Sequence, residues 1–586
     1  MTAHGTLSLL KRGHPRLFLS PQRLEMLQQG AFGDMFLAGL REALLRQADS
    51  LLECEATEFR IVGPRMLERS QQVLWRVATL ALAFLADGRP EYLDRAKREL
   101  FAAAAFPHWN PDHFLDTAEL CAAFAIGYDW LYGALSEPDR QRIRGALAEK
   151  GLRPGQELQR KPAWWVSVRH NWNIVCNGGL TIGALAVADE QPELAASIFD
   201  VALANLPLAL DSFAPDGAWE AGPHYWEYTA WYSVLTIDAL MTALGTDLDL
   251  SKRLGFDRAG LFPLHCTGTS EEYFNYADCG PASAAKPVLF WFGQRFNLPN
   301  CTAENHRLLR LRPEVPHPFH LLWYQPLPRE VPALPTAARF GHSEVFLMRS
   351  AWNDARAVFL GFKAGSGQAD HGHLDLGSFV LDASGVRWAV DLGADDYDLP
   401  GYWDCGREGG RWNYYRLNNR SHNTLVLNGH LQNPMAATAI SRSRLSGPSP
   451  FAIADLSAAY CRDVDSLQRG TALSDNCGVL IQDEIAWRAD SKERALRWQI
   501  MTDARIAING REATLTKDGQ LLHARILSPA GARFMVASAY QKAPQNPNTG
   551  FRQLALEHTE SAAETRIVVS LSTRPVRVAV RPLSSW

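Results

Sequence analysis

The sequence predicts an α+β protein with more than one domain, in which helical hairpins that fit an (α/α) toroid precede an antiparallel β-sandwich. The chain has 586 residues, which is more than one ordinary hydrophobic core accommodates. Apolar residues recur about every 3.6 residues in the first half of the chain and about every 2 residues in the second half. A proline-rich stretch separates the two patterns. We therefore predict a helical domain at 1–311, a linker at 312–338 and a β-sandwich domain at 339–586.

Helices are predicted from about residue 20 to residue 310 by repeated amphipathic stripes. Val73, Val77, Leu80 and Phe84, for example, recur at steps of three and four residues, which places them on one face of a helix. The sequence ADGRPE at 86–91 then supplies a glycine and a proline that end one helix and start the next. The same alternation continues along the first half, so consecutive helices should pair as hairpins.

β-Strands are predicted after the linker, where β-branched and aromatic residues alternate with polar ones between turn signals. Short strands at such spacing are typical of an antiparallel sandwich. One of them is a hairpin that turns at Asp382 to Gly385. The predicted strand segments are 344–350, 355–364, 377–393 (the hairpin), 423–429 and 577–583.

The composition argues against several classes of partner. The net charge is −4, so the chain as a whole has no field that would attract nucleic acid or anionic lipid. The nine cysteines are scattered without a CxxC pair, which is typical of reduced core residues. Lys11, Arg12 and His14 interrupt the apolar run that a signal peptide needs, and no apolar run reaches about 18 residues. We expect a cytoplasmic protein that binds neither nucleic acid nor membranes, with secretion or a periplasmic location and the oligomeric state left open.

The first candidate site is ADHGHLDLGSF at 369–379, where two histidines and two aspartates precede a predicted strand. If this segment is extended, His371, His373 and Asp375 project to one side and Asp370 projects to the other. Such a cluster is typical of a metal site or an active site. The alternative is a polar loop that leads into a strand.

The second candidate site lies in the helical half, in KPAWWVSVRHNWNIVCNGG at 161–179. Aromatic faces stack on sugar rings, and Asn and Arg side chains donate hydrogen bonds to carboxylates or hydroxyls. Arg169, His170, Asn171 and Trp172 are therefore candidate contacts of a saccharide. The alternative is a capped helix whose tryptophans pack in the core.

The third candidate site is PDGAWEAGPHYWEYTAWY at 215–232. The Ala218–Trp219–Glu220 sequence precedes a glycine–proline turn, and its tryptophan and glutamate are candidate substrate contacts. Tyr225 is the tyrosine nearest that turn, so we expect it to reach a cleft. The later tyrosines lie on one helical face, where packing is the default.

The fourth candidate site, 391–425, is rich in arginine and aromatic residues. Arginine forks fit carboxylate or sulfate, so we expect this segment to bind an anionic ligand. Its Asp391 and His422, together with His373, come from successive β elements and make a reasonable His2Asp set for zinc, with water as the fourth ligand. The residues concerned are Arg407, Arg411, Arg416, Arg420, Tyr414 and Tyr415.

Taken together, these segments resemble the heparinase II/III-like polysaccharide lyases, which include heparin, heparan sulfate and alginate lyases. The resemblance rests on HPRLFLS at 14–20, HGHLDLGSFVLD at 371–382 and SHNTLVLNG at 421–429, and it runs nearly from end to end. It implies an incomplete (α/α) toroid followed by an antiparallel β-sandwich, in agreement with the change of period.

The resemblance also implies roles for individual residues. His373, Asp391 and His422 look like the metal ligands of the family. Some relatives place an Asn-His pair where this chain has His170 and Asn171, so either residue of the pair can face the substrate carboxylate. The implied catalytic residues are Asn171, His170, Tyr225, His371 and, by similarity to the alginate-lyase branch, Tyr415, and the expected substrate contacts are Arg169, Trp172, Trp219, Glu220, Arg416 and Arg420.

A lyase of this family removes the C5 proton of a uronic acid and expels the oxygen at C4. Asn171, with Arg169, would stabilise the charge that develops on the carboxylate. Tyr225 would donate a proton to the leaving oxygen, and nearby cations would lower its pKa from about 10 where it also acts as the base. His170 or His371 would be the base for the opposite epimer. Zinc would be structural and would fix the loop that carries His371.

The preferred hypothesis is a lyase of glycosaminoglycans such as heparan sulfate, hyaluronan or chondroitin sulfate, because the arginines at 407–420 favour sulfated or carboxylated polymers. An alginate or oligoalginate lyase remains an alternative. A glycoside hydrolase that uses two carboxylates, such as Asp116 and Glu220, is another. The last alternative is a binding protein that no longer catalyses.

Overall fold

The computed structural model describes residues 3–29, 33–312, 316–447, 449–474, 477–491, 493–576 and 578–586. The chain divides into two compact units, which we call the helical unit and the β unit. The helical unit comprises Met1–Gly217, Glu227–Gly260 and Ala284–Pro332, and the β unit comprises Ala218–Trp226, Leu261–Ser283 and Ala333–Trp586.

The helices of the described residues follow one another along the first part of the chain. They are α1 (Ala3–Leu7), α2 (Pro21–Gln29), α3 (Met35–Leu52), α4 (Leu67–Asp87), α5 (Pro90–Ala104), α6 (Phe114–Leu131), α7 (Glu137–Ala146), α8 (Arg153–Arg160), α9 (Asn171–Val187), α10 (Pro192–Leu210), α11 (Pro223–Leu244), α12 (Leu261–Cys266), α13 (Pro287–Arg295), α14 (Pro299–Leu311) and α15 (Pro318–Leu322).

The connection between α4 and α5 shows how the sequence ends one helix and starts the next. Gly88 adopts a left-handed conformation with φ 75°, and its N–H donates to the Phe84 carbonyl at 2.8 Å, as a glycine beyond a helix end commonly does. Pro90 begins α5, where a proline leaves no N–H unpaired. Because α4 packs on α5 and α6, and α9 packs on α6 and α10, the predicted helical hairpins are confirmed.

One helical stretch of the described residues, Pro192–Phe213, is long and apolar enough to cross a membrane by length and composition alone. We predicted no such run from the sequence. Half of its most apolar window is buried within the protein, and Ile198, Phe199 and Leu206 are fully enclosed. Its apolar character is therefore that of a helix packed in a protein core.

The strands form three antiparallel sheets. The sheet orders are β1-β2-β3-β5-β6, then β13-β14-β15-β18-β11-β10-β9-β8-β4, and finally β16-β17-β12-β7. The strands are β1 (Ala337–Phe340), β2 (Val345–Arg349), β3 (Val358–Lys363), β4 (Gly365–Ser366), β5 (Phe379–Ala383), β6 (Val386–Ala389), β7 (Leu425–Leu427), β8 (Ala437–Arg444), β9 (Phe451–Asp455), β10 (Val464–Ser474), β11 (Gly478–Trp487), β12 (Ala495–Thr502), β13 (Arg505–Asn509), β14 (Glu512–Lys517), β15 (Gln520–Ser528), β16 (Phe534–Ser538), β17 (Arg552–Thr559) and β18 (Glu564–Ser572).

The three sheets share one hydrophobic core. Phe346 of β2, Ile481 of β11 and Trp498 of β12 come from different sheets and lie in the same buried cluster. The predicted hairpin is present, because β5 and β6 are joined through Ser384 and Gly385, whose positive φ values of 55° and 72° suit a two-residue turn. The predicted fold class, a helical toroid domain followed by an antiparallel β-sandwich, is confirmed.

One predicted strand is wrong. The described part of 577–583 has no strand, and Leu583 instead starts a short 3-10 turn, Leu583–Ser585. The apolar side chain of Leu583 holds this tail against the β unit, because it is buried against Phe451 and Ile453. The Arg442 guanidinium also donates to the carbonyl of Trp586 at 3.2 Å. The tail is therefore fixed by side-chain contacts rather than by strand pairing.

The division into units does not follow the chain order that the sequence predicts. Two segments within 1–311, Ala218–Trp226 and Leu261–Ser283, cluster with the β unit. Hydrogen bonds explain the second of these, since the Ser270 hydroxyl donates to Asp382 at 2.7 Å and Arg387 donates to the Tyr273 carbonyl at 2.9 Å. Residues that precede the sandwich in sequence thus contribute to it in space.

Candidate active site

A buried carboxylate, Asp278, is the centre of a polar cluster in the β unit. Its Oδ2 accepts a hydrogen bond from His371 Nδ1 at 2.9 Å. Its Oδ1 accepts from His373 Nε2 at 2.8 Å, from the Tyr402 hydroxyl at 2.6 Å and from Arg411 Nη2 at 3.1 Å. Burial alone would raise the pKa of Asp278, but the histidine hydrogen bonds and the charge of Arg411 hold it well below its usual range. Asp278 is therefore a carboxylate surrounded by donors.

His371 is oriented by Asp278 and by its own backbone. Since Nδ1 donates to the carboxylate, the lone pair lies on Nε2, which is the arrangement of a base held by an acidic partner. The residue has φ 56°, a left-handed conformation that is uncommon for a non-glycine residue. Of the two alternatives for 369–379, the structure has the loop that leads into a strand, because turns precede β5, which begins only at Phe379. The turn lets His371 and His373 reach the same carboxylate.

Tyr225 stacks on His371. The ring centroids are 4.0 Å apart and the planes are inclined by 21°. The Tyr225 hydroxyl shares a hydrogen bond of 2.5 Å with the Tyr397 hydroxyl. Burial, and then the proximity of Tyr397 and Asp278, hold the pKa of Tyr225 well above its usual value. The expectation that cations lower this pKa is therefore wrong, and Tyr225 is a neutral phenol that can donate a proton.

Aromatic side chains line the same cluster. The Trp403 ring lies 5.4 Å from His371, 4.9 Å from Tyr397 and 5.1 Å from Tyr402. Trp403 is 50% exposed, so its face is available for stacking on a sugar. Asp278, Tyr397, Tyr402 and Trp403 were not singled out from the sequence. The density of Trp and Tyr in 391–425 indicated a ligand site but did not identify which rings meet His371.

The four arginines of 391–425 have different environments. Arg411 is fully buried and donates to Asp278 and to the carbonyls of His371, Gly372 and Tyr402. Arg416, a predicted substrate contact, donates to Asn548 at 2.7 Å and to two backbone carbonyls. Only Arg407 and Arg420 are exposed. Of the four arginines that we expected to bind an anionic ligand, two are therefore exposed to solvent.

Tyr415, a predicted catalytic residue, does not contact the Tyr225–His371 pair. Its ring packs with Val390, Leu392 and Met501, and its backbone N–H donates to Gln545 at 2.7 Å. Together with Arg420 it lines a separate cavity on the four-stranded sheet. The tyrosine that the structure brings to Tyr225 is Tyr397 instead.

His373, Asp391 and His422 form the cluster that the sequence suggested as a metal site. All three are buried, and one ligand atom from each lies within 4.8 Å of the others. His373 Nδ1 and His422 Nε2 have no hydrogen-bond partner among the described residues, whereas His422 Nδ1 lies 2.9 Å from Asp391 Oδ2. Enclosed imidazole nitrogens without partners beside a carboxylate fit a divalent metal. The bond from His373 Nε2 to Asp278 would then orient this ligand from behind.

In the helical unit, the predicted residues of 161–179 gather at the start of α9. Asn171 is 3% exposed, and its Oδ1, like His170 Nδ1, has no hydrogen-bond partner within the described chain. The Trp172 ring lies 4.6 Å from Trp164, which is 59% exposed. Arg169 is also exposed. The start of α9 thus combines an accessible tryptophan pair with unsatisfied amide and imidazole groups.

The remaining predicted contacts are placed as follows. Trp219 is 3% exposed and its carbonyl accepts a hydrogen bond from the Tyr276 hydroxyl at 2.8 Å, so its ring is a packing element. Burial raises the pKa of Glu220, against the opposing effect of Lys363. Asp116 is fully buried and accepts hydrogen bonds from the Met66 N–H at 2.7 Å and from Asn110 at 2.6 Å. Asp116 is therefore a structural carboxylate of the helical unit.

Comparisons with known proteins agree with this description. Residues 332–571 match the family described as Heparinase II/III-like, C-terminal. Nothing among curated proteins matches the chain.

Solved structures are similar over nearly the whole chain. A heparinase III structure aligns with a TM-score of 0.63 at 12% identity over 94% of this chain and 88% of its own. A heparinase III with methylated lysines aligns with a TM-score of 0.61 at 14% identity over 96% and 87%. The heparan sulfate lyase HepC from Pedobacter heparinus aligns with a TM-score of 0.58 at 11% identity over 98% and 93%. The chain therefore has the fold of heparinase III, and its residues 332–571 carry a heparinase II/III-like C-terminal domain, as the sequence resemblance indicated.

Proposed function

We propose that this protein is a polysaccharide lyase that cleaves uronic-acid-containing polysaccharides, with glycosaminoglycans of the heparan sulfate class as the preferred substrate. The observation that carries the proposal is the Tyr225–His371 stack, in which a neutral phenol lies 4.0 Å from an imidazole held by a carboxylate. β-Elimination requires a base within reach of the C5 proton and an acid within reach of the oxygen on the adjacent C4, and two neighbouring side chains can supply both. The similarity to heparinase III and to a heparan sulfate lyase supports the choice of substrate.

The residues divide the reaction between them. His371 Nε2 takes the proton from C5, and the electrons of that bond form the C4–C5 double bond as the C4–O bond breaks. Tyr225 gives its proton to the departing oxygen, and Tyr397 keeps the Tyr225 hydroxyl in position. Trp403 offers a ring for stacking. The sequence resemblance assigns neutralisation of the substrate carboxylate to Asn171, whose amide nitrogen would be the hydrogen-bond donor.

We further propose that His373, Asp391 and His422 bind a divalent metal, with zinc as the first choice. The metal would supply a cross-link between the turn that carries His371 and His373 and the segments that carry its other ligands, after β6 and before β7. His373 is hydrogen-bonded to Asp278 at 2.8 Å, and Asp278 is hydrogen-bonded to His371 at 2.9 Å. A metal that fixes His373 would therefore also fix the position of His371.

We expect the purified protein to contain about one zinc per chain and the His422→Ala variant to contain none, as measured by elemental analysis. His430→Ala is a matched control, because His430 follows β7 as His422 precedes it, is partly exposed, and has an imidazole whose only described hydrogen-bond partner is Asp463. It should retain the metal. If His422→Ala and His430→Ala hold equal amounts of zinc, the metal assignment is wrong.

A carboxylate-pair hydrolase is less well supported. Asp116 is fully buried, and backbone and side-chain donors occupy its oxygens. Retaining and inverting hydrolases need both carboxylates at the scissile bond. An alginate lyase would use the same acid and base, so the polymer must be identified by experiment.

The test is to incubate the protein with heparan sulfate, hyaluronan, chondroitin sulfate and alginate while following ultraviolet absorbance. A rising signal from the conjugated C4–C5 double bond with heparan sulfate is expected. A signal with alginate alone would move the assignment to that polymer. New reducing ends without the ultraviolet signal would show hydrolysis. The absence of product from every polymer would favour the alternative that the protein binds polysaccharide without cleaving it.

A further inference from the structure

A second cavity lies in the β unit, on the four-stranded sheet β16-β17-β12-β7. Its volume is about 560 Å³. Arg497 and Gln499 of β12 form part of the floor of this cavity. Side chains alternate along a strand, so the intervening Trp498 and Ile500 point to the opposite face, into the core. Tyr415 and Arg420, from the segment that precedes β7, complete the wall. None of the residues that line this cavity belongs to the Tyr225–His371 cluster.

The wall of the cavity is held rigidly on the sheet. Gln499 is 1% exposed, and its amide donates to the carbonyls of Asn419, Arg420 and His422 at 2.9 to 3.0 Å. Gln553 of β17 donates to the Arg420 carbonyl at 2.6 Å. Two amides from neighbouring strands thus fix the backbone that presents Tyr415 and Arg420. A preformed wall lowers the cost of binding a ligand.

Polar groups at the cavity lack protein partners. The Tyr415 hydroxyl and Arg497 Nε are both enclosed, and neither has a hydrogen-bond partner in the part of the chain that is described. An enclosed polar group without a partner is unfavourable. A ligand with oxygen atoms would satisfy both groups.

The charges at the cavity favour an anion. Arg420 and Arg497 contribute two positive charges, against one negative charge on Glu557, which lies 3.3 Å from Arg497 and is largely exposed. The Arg420 guanidinium makes one described hydrogen bond, to the Gly429 carbonyl at 3.1 Å. Guanidinium groups bind carboxylates as forks, and a tyrosine supplies a ring and a hydroxyl for a sugar.

We propose that this cavity is a second saccharide-binding site, which takes a uronate unit of an acidic polysaccharide through its carboxylate. The choice of a uronate rests on the proposed function, whereas binding at this cavity does not require that the chain catalyses. The site would hold a polymer on the sandwich away from the residues that perform the elimination.

The test measures binding to the full-length protein by isothermal titration calorimetry, in a Tyr225→Phe background so that no substrate is consumed. The probes are a hyaluronan tetrasaccharide, which carries carboxylates without sulfate, a heparan sulfate tetrasaccharide and neutral maltotetraose. We expect both acidic probes to bind at two sites per chain and maltotetraose to bind at neither.

Tyr415→Phe removes only the hydroxyl. Because this group has no described protein partner, we expect the melting temperature to stay unchanged while the affinity of one site falls about tenfold. Tyr414→Phe is the matched control, since the Tyr414 hydroxyl donates to the Pro400 carbonyl and does not line the cavity. It should leave both affinities as they were. Arg420→Gln should weaken the same site as Tyr415→Phe.

Four outcomes would overturn the inference. They are a single site per chain that is insensitive to Tyr415→Phe and Arg420→Gln, two sites that are both insensitive to these variants, binding of maltotetraose as strong as that of the acidic probes, and binding of the sulfated probe alone at the cavity. Failure of the proposed function is detected separately, because it would appear as the absence of the elimination signal in the unmodified enzyme, whatever the calorimetry shows.

Discussion

Tyr225→Phe should lower kcat by about a thousandfold while the protein remains folded. The substitution removes the proton that we assign to the leaving oxygen and keeps the ring that stacks on His371 at 4.0 Å. It also removes the hydrogen bond to Tyr397, which should cost about 1 kcal/mol of stability. The measurement is the initial rate of double-bond formation at saturating substrate, with thermal unfolding followed in parallel.

Tyr228→Phe is the control for this experiment. Tyr228 lies one turn further along α11, is half-buried, and donates its hydroxyl to Glu119 at 2.9 Å. Tyr232 also donates to Glu119, so the carboxylate keeps a partner in the variant. We expect a small loss of stability and an unchanged kcat. If Tyr225→Phe is as active as Tyr228→Phe, Tyr225 is not the acid.

The pH dependence of kcat offers an independent test of Tyr225. A general acid must be protonated, and burial together with Tyr397 and Asp278 raises the pKa of Tyr225 above its ordinary value. Tyr225 should therefore remain competent as an acid up to about pH 10, and its ionisation should cause no decline of kcat below that pH. An alkaline decline well below pH 10 that shifts in Tyr397→Phe would contradict the raised pKa.

The fold could be predicted from the sequence wherever the pattern was local. The glycine and proline at 88 and 90 ended and started helices as expected, and the hairpin at 382–385 formed. The strands between 437 and 572 were not predicted, because many of them are buried on both faces or lie at edges, where simple alternation disappears. The alternation of apolar and polar residues at 577–583 led to a wrong strand prediction, because the apolar side chain of Leu583 packs against Phe451 and Ile453.

The candidate site could be predicted only in part, because its central residue carries no local signal. Asp278 lies in a loop 93 residues before His371, and only the folded chain shows that His371, His373, Tyr402 and Arg411 share it. His373, Asp391 and His422 were found because they come from successive β elements, and the structure places them together. Arg411 was taken for a ligand contact, although its environment is that of a buried ion pair.

Asp278→Asn should abolish most of the activity and destabilise the β unit. An amide cannot replace the carboxylate, because His371, His373, Tyr402 and Arg411 all donate to it. Arg411 would be left buried without its charge partner, which costs about 3 kcal/mol or more. His371 would lose the acceptor that keeps its lone pair on Nε2, so kcat should fall by at least about a hundredfold. Chemical denaturation and initial rates measure the two effects.

Asp483→Asn separates the catalytic loss from the structural one. Asp483 and Arg469 form a fully buried ion pair with hydrogen bonds of 2.6 and 2.9 Å, and Asp483 has no described contact with the Tyr225–His371 cluster. Removing its charge should destabilise the protein by an amount similar to that of Asp278→Asn, for the same physical reason. Under conditions where both variants are folded, Asp483→Asn should retain kcat. Equal losses of kcat would mean that Asp278 acts only through stability, whereas a loss confined to Asp278→Asn would place it as the residue that positions the base.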